Sequence, residues 1–92
     1  MKYLLSIIMP VYNSEKSLDK AISSVYNTKL KNFEFIIIDD CSTDTSLNIL
    51  KKYKKKYENI ILIENKENIG AGLSRNKGLN IANGKYIGFM DS

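Results

Sequence analysis

The chain has 92 residues, of which 43% are hydrophobic and 26% are charged, so it forms one globular domain at most and is too apolar to be disordered. It contains one cysteine and no histidine, which excludes an internal disulfide, a Cys/His zinc site and acid–base chemistry that depends on histidine. The net charge is +4, but five of the fourteen basic residues lie between Lys51 and Lys56, so the rest of the chain is nearly neutral.

Short β-branched runs alternate with segments of helical period along the chain. The first predicted strand runs from Leu4 to Met9 and is expected to end at Pro10, because proline has no N–H to donate to a sheet. Asn13 or Ser14 is then predicted to cap a helix whose apolar positions repeat between Leu18 and Tyr26.

The second predicted strand, Phe33 to Ile38, is apolar apart from Glu34, as expected for a strand covered on both faces of a parallel sheet. Ser42 or Thr43 is predicted to cap a second helix, in which an apolar stripe ending at Tyr57 alternates with the lysines. This pattern favours a helix with a solvated basic face over a surface that binds RNA or membrane. No nucleic acid partner is expected.

The remaining elements complete the alternation. A third strand is predicted over Ile60 to Ile63, a third helix over Asn68 to Asn83 with Gly84 as its C′ residue, and a fourth strand over Tyr86 to Met90. Right-handed crossovers fold this order into an α/β domain, a parallel sheet of order 3-2-1-4 between two layers of helices. Ligands bind such sheets beyond the carboxyl ends of the strands, in the crevice between strands one and four.

Polar residues collect at these strand ends. Asp39 and Asp40 follow the second strand, and Asp91 follows the fourth, although a lone acid at a strand end is more often a turn former than a ligand. A Gly-x-Gly pair opens the third helix, but it lacks the third glycine of a dinucleotide fingerprint and follows the wrong strand. The flexible backbone of a helix start that contains glycine still suits a phosphate, with Arg75 as its partner. A helix start without a ligand, in which Arg75 is an ordinary surface residue, is equally consistent with the sequence.

Four motifs occur in order over nearly the whole chain. They are Ile8-Met9-Pro10-Val11-Tyr12-Asn13, then Ile38-Asp39-Asp40-Cys41-Ser42-Thr43-Asp44, then Asn68-Ile69-Gly70 with Arg75-Asn76-Lys77-Gly78, and Gly84-Lys85-Tyr86-Ile87-Gly88-Phe89-Met90-Asp91-Ser92. At these separations they resemble the family 2 inverting glycosyltransferases of the Rossmann-like GT-A fold. The resemblance implies that residues 1–92 are the N-terminal nucleotide-sugar-binding portion of a single GT-A domain, truncated after the fourth strand, without the C-terminal acceptor half.

The resemblance also implies a set of donor-binding residues. They are Pro10, Val11, Tyr12, Asn13, Glu15, Asp39, Asp40 and Arg75. Asp40 first, and Asp39 second, would contact the uracil or ribose, and Arg75 would lie near the diphosphate. Asp91 matches the first acid of the Asp-x-Asp motif, which implies a Mn or Mg ion, while the second acid would follow Ser92.

The implied reaction is transfer of a sugar from a nucleotide-diphosphate donor, a UDP-sugar, to a saccharide or lipid-linked acceptor, as in polysaccharide or cell-surface glycan synthesis. The catalytic base is expected beyond residue 92, so the chain by itself is expected to bind donor without transferring sugar. Cys41 departs from the family, which usually has glycine in this turn.

Two other classes of protein share some of these features. A non-catalytic nucleotide-binding α/β module fits the same motifs. A receiver-like signalling domain needs its acid pair after strand one and an aspartate after strand three, where this chain has Pro10 and Glu64-Asn65.

The chain carries no sequence signal for export or membrane insertion. No apolar run approaches the ~20 residues of a membrane span, and the first residues lack the long apolar core of a secretory signal. We therefore expect a cytoplasmic protein, in which any association with the inner face of a membrane arises outside this chain.

Overall fold

A computed structural model describes residues 2–92. Four strands alternate with three helices: β1 (Tyr3–Val11), α1 (Leu18–Tyr26), β2 (Phe33–Asp39), α2 (Ser46–Lys56), β3 (Ile60–Glu64), α3 (Ala71–Ile81) and β4 (Gly84–Phe89). All paired strands are parallel, and the sheet order is β3-β2-β1-β4. The predicted α/β fold and strand order are confirmed.

The core is divided between the two faces of the sheet. On one face, α1 and α2 cover the larger cluster, which contains Met9, Phe35, Ile37, Leu18, Ile22 and Leu50. On the other face, α3 packs over Ile8 and Ile38. Gly78 permits this approach, because a Cβ at that position would lie 2.7 Å from the Ile8 Cγ2 atom. All seven residues of β2 are buried, as predicted for a strand covered on both faces.

Pro10 does not end the first strand, contrary to the prediction. It is paired with Ile38 inside the ladder, and β1 continues to Val11, whose carbonyl accepts the Asp40 N–H at 2.8 Å. The carbonyl of Ile8 accepts a hydrogen bond from the residue after β4, so the backbone groups of Ile8, and of Pro10 two residues later, turn towards β4. Pro10 therefore faces the side on which β4 has already ended, and its missing N–H breaks no ladder bond.

The predicted caps do not begin the helices. Asn13, Ser14, Ser42 and Thr43 all lie before the helices they were predicted to open, which start at Leu18 and Ser46. Residues 14–17 form a turn instead, in which the Ser14 carbonyl accepts the N–H groups of Ser17 and Leu18 at 3.0 and 2.9 Å. Asn13 and Thr43 bond to each other across the sheet edge, so their side chains are not available as caps.

The end of α3 also differs from the prediction. The helix spans Ala71 to Ile81, inside the predicted range of 68–83, and Gly84 is the first residue of β4 instead of the C′ residue of the helix. A Cβ on Gly84 would lie 2.5 Å from the Ser6 Oγ atom and would also meet the Ser6 N atom, so a close approach to β1 requires glycine there.

A buried polar network holds β4 in place. The Gly84 N–H donates to Ser6 Oγ at 2.8 Å, and the Ser6 hydroxyl donates to the carboxylate of Glu34, which also accepts the Asn83 N–H. Ser6 and Glu34 are fully buried. This network secures the edge strand whose carboxyl end carries Asp91. Within residues 2–92, no helix has the length and apolar character needed to cross a membrane.

Candidate functional site

The carboxyl ends of β1, β2 and β4 meet at one crevice. A cleft of about 230 Å³ lies there, lined by Pro10, Val11, Tyr12, Asp40, Ala71, Arg75, Asp91 and Ser92. Six of the nine residues predicted from the sequence line this cleft. The other three, Asn13, Glu15 and Asp39, lie beside it and bond to the loop between β2 and α2.

Asp40 is the buried acid of the cleft. It is 3% exposed, and its Oδ1 atom accepts hydrogen bonds from Asn65 Nδ2 at 3.0 Å and Ile69 N at 2.8 Å, while Oδ2 accepts from Gly70 N at 2.8 Å. Burial by itself would raise the pKa of this carboxyl, but the hydrogen bonds from Ile69, Asn65 and Gly70 outweigh burial and hold the pKa below 3.8. The Ser74 hydroxyl also lowers this pKa, so donors of the protein occupy most of the roughly four acceptor positions of the Asp40 carboxylate.

The residues that position Asp40 were not identified from the sequence. Asn65 is 6% exposed, donates to both Asp40 and Ser74 Oγ, and accepts from Lys77 Nζ at 2.8 Å. The Asn68 side chain donates to the Asp40 carbonyl at 3.2 Å. The one sequence signal for Asn65 was its place at the carboxyl end of a strand. These contacts fix the loop from β3 to α3 beneath the acid.

Asn13 and Glu15 hold the loop between β2 and α2 against the end of β1. Asn13 has a φ of +46°, and its side-chain oxygen accepts the N–H groups of Thr43 at 2.7 Å and Asp44 at 3.3 Å. The Glu15 carboxylate accepts from Thr45 N at 3.0 Å, and the Glu15 N–H donates to Asp44. Both residues therefore shape the cleft through the loop, and neither lines it.

Cys41 occupies the position where the family usually has glycine, and its backbone explains that preference. Its φ is +61°, in the left-handed region that favours glycine. Beside it, Asp39 is 2% exposed and accepts the Ser42 N–H at 3.2 Å. Asp39 thus stabilises the turn that carries Asp40 out of the sheet, and it does not line the cleft.

Arg75 and Asp91 face each other across the mouth of the cleft. The Arg75 guanidinium lies 3.4 Å from Asp91 Oδ1, and the Asp91 side chain is 92% exposed. Within residues 2–92, no group of three Asp, Glu, Cys or His side chains is arranged to hold a metal ion. An exposed carboxylate suits a Mg or Mn ion as one of its several oxygen ligands, so Asp91 fits the predicted role as a single ligand.

Residues 6–92 match the family described as Glycosyl transferase family 2. The chain belongs to this family. It is 47% identical over 91 residues to the poly(ribitol-phosphate) beta-glucosyltransferase of Bacillus spizizenii and 43% identical over 91 residues to the minor teichoic acid biosynthesis protein GgaB of Bacillus subtilis. These alignments cover 96% and 97% of this chain but span 14% and 10% of the two relatives.

A solved structure has the same fold as this chain. The structure of S. aureus TarS 1-349 in complex with UDP superposes with a TM-score of 0.89 at 36% sequence identity, covering 97% of this chain and 27% of TarS. The resemblance to family 2 glycosyltransferases of the GT-A fold, stated from the four motifs, is therefore confirmed.

Proposed function

We propose that the protein carrying this chain is a glycosyltransferase that transfers a sugar, with inversion, from a UDP-sugar to a saccharide or lipid-linked acceptor. In this proposal the described residues hold the nucleotide-diphosphate end of the donor. One observation carries it: the cleft brings Asp40, Arg75 and Asp91 together from three separate segments, in the crevice where the sheet order reverses. Family membership and the UDP bound to the related TarS support this choice of donor.

The inner part of the cleft suits a nucleoside. Pro10 and Val11 form an apolar wall, and the Tyr12 side chain is 49% exposed beside them. An exposed aromatic ring stacks readily on a base. The ionised Asp40 lines the cleft and suits an N–H donor, which the uracil ring provides. Asp40 is held ionised by its neighbours, so this hydrogen bond would be charge-assisted.

The mouth of the cleft suits a diphosphate. Arg75 lies in the second turn of α3, whose N-terminal N–H groups favour an anion, and a guanidinium binds phosphate oxygens in pairs. Asp91 stands opposite and would hold a Mn or Mg ion together with phosphate oxygens. Such an ion neutralises charge on a leaving diphosphate. Arg75 would then leave its ion pair with Asp91 when the donor binds.

The chemistry follows from this placement. An acceptor hydroxyl oxygen forms a bond to the anomeric carbon as the bond from that carbon to the diphosphate oxygen breaks, and a base accepts the hydroxyl proton. The described residues orient the leaving group, and the base and acceptor site belong to the rest of the protein. The two relatives are named for poly(ribitol-phosphate) glucosylation and for teichoic acid biosynthesis, which supports a cell-surface polysaccharide as the acceptor class.

The experiment is calorimetry of the full-length protein with UDP and with GDP, followed by a product assay with UDP-sugars. We expect UDP to bind more tightly than GDP and sugar to be transferred. Lys20→Ala, on the exposed face of α1, serves as a control that should leave binding unchanged. Failure to bind UDP would refute the donor site. Binding of UDP without transfer from any UDP-sugar would instead favour the non-catalytic nucleotide-binding module.

A further inference from the structure

The end of the sheet opposite the cleft is strongly basic. All four parallel strands start at this end, so it collects the start of β1, the α1–β2 loop, the end of α2 and the start of β4. These segments present seven exposed lysines, of which Lys54 donates to the Ile60 carbonyl. The other six are Lys2, Lys29, Lys31, Lys55, Lys56 and Lys85. Within residues 2–92, Glu58, in the loop between α2 and β3, is the one exposed carboxylate at this end of the sheet. We call the surface formed by the six lysines the basic pole.

The charge of the basic pole is not neutralised by ion pairs within the described part of the chain. The two ion pairs found there, Lys51–Glu64 and Arg75–Asp91, involve none of the six lysines. The acids Asp39, Asp40, Asp44 and Asp91 lie at the opposite end of the sheet. The domain therefore has a charge asymmetry along its strands, which sequence order alone does not show because the lysines come from four segments.

Apolar and aromatic groups lie among these lysines. Leu30 stands between Lys29 and Lys31 on the α1–β2 loop and is 43% exposed. Three lysines lie over the rings of their neighbouring tyrosines, in the pairs Lys2–Tyr3 at 5.6 Å, Lys56–Tyr57 at 5.2 Å and Lys85–Tyr86 at 5.5 Å. Lysine stems, tyrosine rings and a protruding leucine are the residue types that occupy the boundary between lipid headgroups and acyl chains.

Two observations disfavour nucleic acid as the partner of this surface. The chain's single arginine is Arg75, at the opposite end of the sheet, so the basic pole has no guanidinium for bidentate phosphate or base contacts. In addition, the rings of Tyr26 and Tyr57 stack on each other with centroids 3.6 Å apart, which closes one face of the Tyr57 ring to a base.

We propose that the basic pole binds an anionic lipid bilayer, with the lysine ammonium groups at the lipid phosphates and Leu30 at the acyl boundary. The sequence alone favoured a solvated face for the α2 lysines, because Tyr53 and Tyr57 have the spacing of a core stripe. The lysines of the other three segments are distant in the chain. Bound in this way, the domain presents its cleft away from the bilayer, since the cleft and the pole lie at opposite ends of the strands.

The test is co-sedimentation of the full-length protein with vesicles of phosphatidylcholine and phosphatidylglycerol in equal parts, beside vesicles of phosphatidylcholine alone. The pole variant carries Lys29→Gln, Lys31→Gln and Lys55→Gln. A lysine near an anionic surface contributes roughly fivefold in affinity, so this variant should bind the anionic vesicles at least tenfold more weakly. Leu30→Ser should weaken binding at unchanged net charge, and added salt should weaken it for the natural protein.

The matched control carries Lys20→Gln, Lys52→Gln and Lys66→Gln, three exposed lysines outside the pole that give the same change of net charge. It should bind the anionic vesicles within about twofold of the natural protein. Thermal unfolding of each variant by circular dichroism verifies that it is folded. The proposal is overturned if the two triple variants lose equal affinity for anionic vesicles, or if the natural protein does not bind these vesicles. It is also overturned if the pole binds single-stranded RNA and the protein does not bind vesicles.

Discussion

Asp40 joins three segments of the site, and its replacement by alanine tests how much the site depends on it. Its N–H donates to the Val11 carbonyl, and its carboxylate accepts hydrogen bonds from Asn65, Ile69 and Gly70. Alanine keeps the backbone bond and removes all three bonds to the carboxylate. Two main-chain N–H groups ahead of α3 then lose their acceptor.

The magnitude follows from these contacts. A hydrogen bond to a charged group contributes about 1.5 to 3 kcal/mol, but three bonds that share one carboxylate do not add in full. We expect Asp40→Ala to lower the free energy of unfolding by about 2 to 4 kcal/mol. Asp40→Asn keeps one acceptor oxygen but places an NH₂ group beside the N–H of Gly70 or Ile69, so its loss should be about half as large.

The assay is urea denaturation followed by circular dichroism, with Asp44→Ala as the control. Asp44 also accepts main-chain hydrogen bonds, from Ser46 and Glu15, but it lies outside the cleft. The affinity of each variant for UDP is measured by calorimetry. Asp40→Ala should weaken UDP binding by about 1.5 to 3 kcal/mol, and Asp44→Ala should weaken it less.

The same variants predict a pH dependence. The pKa of Asp40 is lower in the folded protein than its ordinary value of 3.8, so the unfolded chain binds the proton more readily. The stability that Asp40 contributes is therefore complete at pH values well above 3.8 and is lost as the pH falls below 3.8 through the folded-state pKa. The stability difference between natural protein and Asp40→Asn should be largest near neutral pH and shrink in acid.

The reasoning would be refuted by an Asp40→Ala variant that unfolds within about 0.5 kcal/mol of the natural protein, the range typical of surface substitutions. A difference from Asp40→Asn that does not change with pH would show that the charge of Asp40 contributes nothing. Equal UDP affinities for Asp40→Ala and Asp44→Ala would remove Asp40 from base recognition while leaving its effect on stability to be judged separately.

Three further predictions concern α3 and α2. Gly72→Ala should stabilise the protein by about 0.5 to 1 kcal/mol in thermal unfolding, because no atom lies near the added Cβ. Gly78→Ala should destabilise the protein, because its Cβ would meet the sheet. Stabilisation by both variants would contradict the close packing of α3 against the sheet. Neutralising three lysines between Lys51 and Lys56 should leave UDP affinity in calorimetry within about twofold, and a large loss would mean that this face of α2 contacts the donor. Arg75→Ala should weaken UDP binding in the same assay. It should change the free energy of unfolding by less than about 1 kcal/mol, because the ion pair of Arg75 with Asp91 is exposed. Unchanged UDP affinity would exclude Arg75 from diphosphate binding.

Much of the fold follows from local sequence patterns. A continuous apolar strand such as Phe33 to Ile38 can bury both of its faces only in a sheet that is covered by helices on both sides. The segments between the strands have apolar residues at the spacing of a helix. Right-handed crossovers then leave one common strand order, and every acid that follows a strand comes to the same edge. This is why the sequence predicts Asp40 and Asp91 at one edge of the sheet, whereas Arg75 was predicted from the start of the third helix and the family resemblance.

Contacts between distant residues decided the rest. Asn13 and Thr43 have the side chains of helix caps, yet they bond to each other across thirty residues, so the helices begin later. Asp40 has a depressed pKa because Asn65, Ile69 and Gly70 donate to it from another loop. A capping preference is a local free energy of about 1 kcal/mol, and such long-range hydrogen bonds override it.

Pro10 and the basic pole illustrate the same limit. A proline ends a strand only where its N–H would have had a partner, and that depends on where β4 ends beside β1. The six lysines of the pole come from four segments, and only the end of α2 is visibly basic in the sequence by itself. Sequence patterns determine which residues can form strands and helices, whereas the surfaces and partners of those elements depend on how distant segments pack in three dimensions.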